Sequence, residues 1–141
     1  MMLRDLIRLI DDYAEHNPLV RMVVPNDIFR LNTLPDAVYP CLGWTQNQHR
    51  LDAETGLVYF GLTVFYVDRL LADKSNELDI QSAGVGVLTD LVRFLEAHGA
   101  YPYGDVTFTP FNQRFTDECA GVYASVVFEL PGETKCSPID L

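Results

Sequence analysis

Apolar residues recur at helical spacing near the start of the chain. Leu3, Leu6, Ile7, Ile10, Tyr13 and Ala14 share one face, while Arg4, Asp5, Arg8, Asp11, Asp12 and Glu15 take the other. That pattern predicts an amphipathic helix over residues 3–16. Asn17-Pro18 ends it, because a residue before proline avoids the helical region. The β-branched run from Leu19 to Val24 predicts a first strand, and Pro25 closes it. Between Pro25 and Pro35, Asn26 to Leu31 fits either a short strand or a turn of helix. Ala37 to Thr45 reads as an edge or bulged strand, because Pro40 inside it cannot donate to a ladder. The polar stretch from Gln46 to Gly56 reads as a hairpin loop.

Leu57 to Val67 is the longest predicted strand. Val58, Phe60, Leu62, Val64 and Tyr66 form one face, and the other face, with Tyr59, Phe65 and Val67, is also rather apolar. A strand apolar on both sides belongs at the centre of a sheet covered on both faces. Helices on one face and a partner subunit on the other would provide that cover. Residues 78–97 predict the main helix, with Leu78, Val85, Leu88, Leu91, Val92 and Leu95 along one side. Gly84 and Gly86 within it predict close packing of backbone on the sheet, and Gly99 is placed to cap its end. Asp105–Thr109 and Gly121–Leu130 predict the last strands. In the second of these, Val122, Ala124, Val126, Phe128 and Leu130 alternate with outward residues. The connection from Pro110 to Ala120 is too long for a tight hairpin.

This order predicts one α+β domain over residues 1–130, followed by a mobile tail over 131–141. Its twisted antiparallel sheet has four or more strands, with an N-terminal helix and a long central helix packed on it. A chain of 141 residues, 48% hydrophobic, is long enough to fold around one core. No apolar run reaches the roughly 18 residues needed to span a bilayer. Asp5 and Arg8 interrupt the N-terminal apolar stretch, so no signal peptide is expected.

Charge and chemistry narrow the function. Twenty acids against ten bases give a net charge of −10. The arginines are scattered, and without a basic cluster direct nucleic-acid binding is disfavoured. Cys41, Cys119 and Cys136 form no ligand or redox motif and read as reduced thiols. His16, His49 and His98 are far apart, and no acidic run matches a calcium loop, so neither metal nor cofactor is expected. Glu54, Glu77, Asp117 and Glu118 sit in polar segments with no sign of the shielded cleft that acid–base catalysis needs. The chain reads as an interaction protein with no catalytic signature. Trp44 reads as a core or interface aromatic.

Two segments stand out as docking elements. After the central strand, a polar stretch carries Asp68, Arg69, Asp73, Lys74, Asn76, Glu77 and Asp79 with no Gly or Pro. Mixed charges of this kind set register and reject wrong partners more than they add affinity. In the later segment Phe108, Phe111 and Phe115 must either fold back on the domain or insert into a neighbour. The candidate subunit-interface residues are therefore Asp68, Arg69, Asp73, Lys74 and Glu77, with Phe111, Arg114 and Phe115.

Over residues 3–130 the chain resembles the tail-terminator and head–tail neck (connector) proteins of long-tailed bacteriophages. The resemblance rests on the amphipathic helix followed by Asn17-Pro18-Leu19-Val20 and on the Tyr39-Pro40-Cys41 strand. It also rests on Thr63-Val-Phe-Tyr-Val-Asp68 feeding the helix around Val85 to Leu95, and on the Phe111–Phe115 segment with Cys119-Ala-Gly-Val-Tyr before the final strand. The loop from Asp68 to Asp79 departs from the family in being short and polar. The resemblance implies a virion or prophage structural subunit in a homo-oligomeric ring, contacting other tail or neck proteins and needing no cofactor. It would reside in the virion, or in the host cytoplasm during assembly. DNA would pass through such a ring, and an acidic lumen would repel it and keep passage free. The alternative is a stand-alone protein-binding module or accessory factor that forms no ring.

Overall fold

The computed structural model describes residues 2–33, 37–115 and 117–130. The expected tail over 131–141, with Cys136, lies outside these residues. Within them the chain is α+β. Helix α1 spans Leu3–His16, strand β1 Met22–Val24, and a 3-10 turn Ile28–Asn32. Strands β2 (Cys41–Leu51) and β3 (Val58–Arg69) precede helix α2 (Glu77–Ala97), and β4 (Tyr101–Pro102), β5 (Thr109–Arg114) and β6 (Glu118–Glu129) complete the sheet. The strand order is β1-β2-β3-β6, with β4 and β5 lying end to end along the outer side of β6. β3 is central, as its two apolar faces require.

The sheet is mixed where an antiparallel one was expected, because β1 pairs parallel to β2. Pro40 lies just before β2 rather than inside it, so the strand keeps its donors and pairs on both sides over Cys41–Gly43. The expected loop at 46–56 is also shorter. β2 continues to Leu51, and a bulge between Gln46 and His49 absorbs the polar residues. The turn itself occupies Asp52 to Leu57, closed by hydrogen bonds between those two residues and from Gly56 to Asp52. At the far end of the chain, the connection read as too long for a hairpin contains β5, which turns directly into β6. Residues 105–108 form no strand. β1 is shorter than the apolar run that predicted it.

The main core lies between the helices and one sheet face. Leu6, Ile10 and Tyr13 of α1 and Leu88, Leu91 and Leu95 of α2 pack with Leu62, Val64 and Tyr66 of β3 and Val122, Val126 and Phe128 of β6. Trp44 belongs to this core. The Tyr13 hydroxyl donates to Asp90 Oδ2 at 2.8 Å and accepts from Asn17 Nδ2 at 2.8 Å, tying α1 to α2. Burial, then the Asp90 carboxylate, pushes the Tyr13 hydroxyl well above its ordinary range.

Leu88, Leu91, Val92 and Leu95 of α2 are buried as expected, but Leu78 and Val85 are not. Leu78 is 76% exposed and Val85 40% exposed, whereas Ile80, Gly84 and Val87 are buried. A helix advances 100° per residue, so Leu78 and Val85 belong to a stripe rotated away from Leu88, Leu91 and Leu95. Gly84 does allow close approach: a Cβ there would sit 3.0 Å from Tyr66 Cδ1 and 3.1 Å from Val122 Cγ2. Gly86 faces open space. α2 ends in a Schellman motif, with Ala100 N–H donating to Leu95 O and Gly99 N–H to Glu96 O, and Gly99 takes a φ of 97°.

A smaller cluster covers one end of the opposite sheet face. It contains Val24, Leu31, Cys41, Phe65, Val67, Phe115 and Cys119. Among the described residues no α-helix lies on the rest of that face.

Candidate functional site

The two segments singled out in the sequence meet at one end of the sheet. The apolar run of β3 stops at Val67, and Asp68 and Arg69 follow as the strand leaves the core. Leu70 turns back into the core, and a tight turn closes from Lys74 N–H to Leu71 O at 2.8 Å. Asp73 Oδ1 accepts from Ser75 N–H, an Asx turn of the kind short acidic side chains favour. Asn76 precedes α2, but its side chain braces the loop instead of capping the helix. Its amide donates to Arg69 O at 3.2 Å, and its Oδ1 accepts from Leu71 N–H at 2.9 Å. Glu77 and Asp79 occupy the first turn of α2, where the helix dipole favours acids.

The β5–β6 hairpin packs alongside this loop. Arg69 Nη2 meets Asp117 Oδ2 at 3.2 Å, and its guanidinium lies 5.3 Å from the Tyr39 ring centre. Lys74 Nζ lies 3.6 Å from Glu118 Oε1. Asn112 Nδ2 donates to Glu77 Oε1 at 3.4 Å, and Gln81 Nε2 to Phe111 O at 3.3 Å. Asp117 and Glu118, weighed in the sequence as acid–base candidates, are thus the partners of Arg69 and Lys74. No local spacing could reveal pairings that only the sheet brings about.

The aromatics fold back on the domain. Phe115 is 7% exposed and packs edge-on to Phe29, with ring centres 6.0 Å apart. Phe111 is half-buried beside Tyr123. Asp68, Asp73 and Arg114 make no ion pair among the described residues and complete the charged surface. Two hydrogen bonds from Ser75, through its N–H and its hydroxyl, hold Asp73 below the usual carboxylate range. Burial raises Asp68, partly offset by the Arg69 N–H and charge. A raised folded value means that the neutral form is favoured in the fold. Its contribution is therefore full below the ordinary carboxylate value and lost as pH rises through the raised one. Asp68→Asn should accordingly raise the thermal midpoint at pH 7, and the difference should vanish in acid. Equal midpoints at pH 7, or a gain that persists below pH 3, would contradict this.

Among the described residues no group of three His, Cys, Asp or Glu side chains could hold a metal ion. Burial pushes the Cys41 thiol up to about 12 and raises Cys119, so both stay in the unreactive thiol form. Among the described residues no helix is long and apolar enough to cross a membrane.

The open part of the sheet face is the side on which the two apolar faces of β3 led a partner subunit to be expected. Thr63 and Tyr123 border an apolar hollow of about 320 Å³ there, with Phe29, Phe65, Phe111 and Phe115. The chain matches no known family model and no curated protein.

Proposed function

We propose that the chain is a virion or prophage structural subunit of a long-tailed bacteriophage. It forms a homo-oligomeric ring at the head–tail neck or the tail-tube terminus and contacts other tail or neck proteins. The observation that carries this reading is the convergence of both candidate segments on one end of the sheet. Asp68, Arg69, Asp73, Lys74 and Glu77 lie beside the hairpin bearing Phe111, Arg114 and Phe115, and side-chain bonds lock the two together. A prealigned surface of both charge signs suits a contact that must be made repeatedly in one register.

Arg69 and Lys74 act in this surface through internal pairs. Both pairs are largely exposed, and exposed pairs contribute about 0–1 kcal/mol to a fold. Charge reversal, Arg69→Glu with Lys74→Glu, should therefore leave the subunit folded while abolishing a discrete large oligomer in native mass spectrometry across a concentration series. Unfolding of the variant, or assembly equal to the parent, would count against this contact. The ring reading itself falls if the parent stays monomeric or dimeric throughout, which would leave the stand-alone binding module. The open sheet face is the observation that favours that second reading.

A further inference from the structure

Register fixes what the open sheet face presents. Thr45, Thr63 and Ser125 lie side by side across β2, β3 and β6, and Arg50, Tyr59 and Glu129 form a parallel row nearer the end of the sheet. Beyond the hollow described above, a second one of about 460 Å³ is bordered by Arg50, Tyr59 and Val127. Among the described residues Arg50 is the sole charged one bordering either hollow, on a chain of net charge −10. Tyr123 and Val127 are each 39% exposed. Depletion of charge with exposed aromatic and aliphatic groups marks the centre of a protein contact. The Thr63 and Ser125 hydroxyls in the middle are already paired: Thr63 Oγ1 bonds Asn47 Oδ1 at 3.1 Å and Ser125 Oγ at 3.0 Å. They can lose water without being left unsatisfied.

We propose that this face is a two-fold contact between two copies of the chain. β2 and β6 flank β3 on opposite sides. A two-fold axis lying along β3, between two facing sheets, exchanges left with right and keeps the ends aligned. It sets the Arg50 position of each copy over the Glu129 position of the other, twice. Arg50 is exposed and rests its guanidinium 4.5 Å from the Tyr59 ring centre, from which it can swing outward to a carboxylate. Turning one copy end for end would instead lay both charges over the Phe65 and Tyr123 row and bury them unpaired, which is costly. Charge thus selects one arrangement of the face against itself.

From Tyr59 to Phe65 the strand rises about 20 Å, and four strands span about 19 Å, giving roughly 400 Å² of flat sheet per copy. Stable interfaces bury about 800 Å² per partner. The contact therefore forms at high concentration or inside a larger assembly. It does not depend on the ring: with one it joins two rings, and without one it makes a dimer.

Sedimentation equilibrium at low salt tests it, in the Arg69→Glu/Lys74→Glu background so that ring assembly does not contribute. The background protein should dimerise with concentration. Arg50→Glu alone and Glu129→Arg alone should each weaken the dimer about tenfold or more, because each sets like charges opposed twice. An equimolar mixture of the two variants should recover most of the affinity, since only the mixed dimer pairs every charge. Circular dichroism melts would verify that each variant folds. A mixture no tighter than the separate variants overturns the proposal, as does a protein that stays monomeric. A parent chain that forms rings, combined with failure here, would leave the ring reading standing.

Discussion

Leu88→Ala should lower the stability of the domain by about 2–5 kcal/mol, the range for a buried leucine whose cavity cannot collapse. Leu88 is fully buried in the layer between α2 and the sheet, within the same cluster as Leu62, Val122 and Val126. A domain of this kind has about 5–15 kcal/mol in total, so the loss is a large share of it. The control lies three residues away on the same helix. Val85 is 40% exposed, and Val85→Ala should change stability by less than about 0.5 kcal/mol. Urea unfolding of both variants gives the comparison, with unchanged m-values confirming that the folded state is what moved. Equal losses for the two, or a loss below about 1 kcal/mol at Leu88, would mean that α2 is not seated on the face described.

The contrast between Val85 and Leu88 also shows how far the sequence could be read. Both fit an apolar helical stripe, and so does Leu78. What separates them is which side meets the sheet, and that is decided by Gly84, the point where α2 touches Tyr66 and Val122. The sequence marked Gly84 and Gly86 as equals, and only the packing distinguishes them. Strand β6 was legible because one face is buried and the other wet, so its alternation is clean. β5 was not, since Pro110, Asn112 and Arg114 make it polar and its single buried anchor is the half-buried Phe111. β2 was misread for a related reason. Past Thr45 it is exposed, and an exposed strand carries the polar residues of a loop. The candidate interface segments were legible as charge and aromatic content. Their convergence was not, because Arg69–Asp117 and Lys74–Glu118 join residues more than forty positions apart.

That convergence hangs on one glycine. Gly121 in β6 sits opposite Val67 on one side and Phe111 on the other. A Cβ there would collide with the Tyr66 carbonyl oxygen and lie 2.8 Å from Phe111 Cζ. The aromatic ring could swing aside, but the carbonyl belongs to the backbone of the central strand and cannot move without breaking the ladder. Gly121→Ala should therefore cost about 1–3 kcal/mol, the range for overpacking a well-filled interior. It should also loosen β5 in particular, because Phe111 is the contact through which that strand lies down on the sheet. Hydrogen exchange should show faster exchange of the amides from Thr109 to Arg114, while those of α2 slow or hold relative to them. In the ring reading this variant should assemble poorly although its surface charges are untouched, because the hairpin no longer aligns Asp117 and Glu118 with Arg69 and Lys74. A variant as stable as the parent, with β5 amides equally protected, would show that the close approach at Gly121 does not constrain the hairpin. A variant that loses β5 protection yet assembles normally would detach the hairpin from the interface and leave the loop from Asp68 to Glu77 as the whole of it.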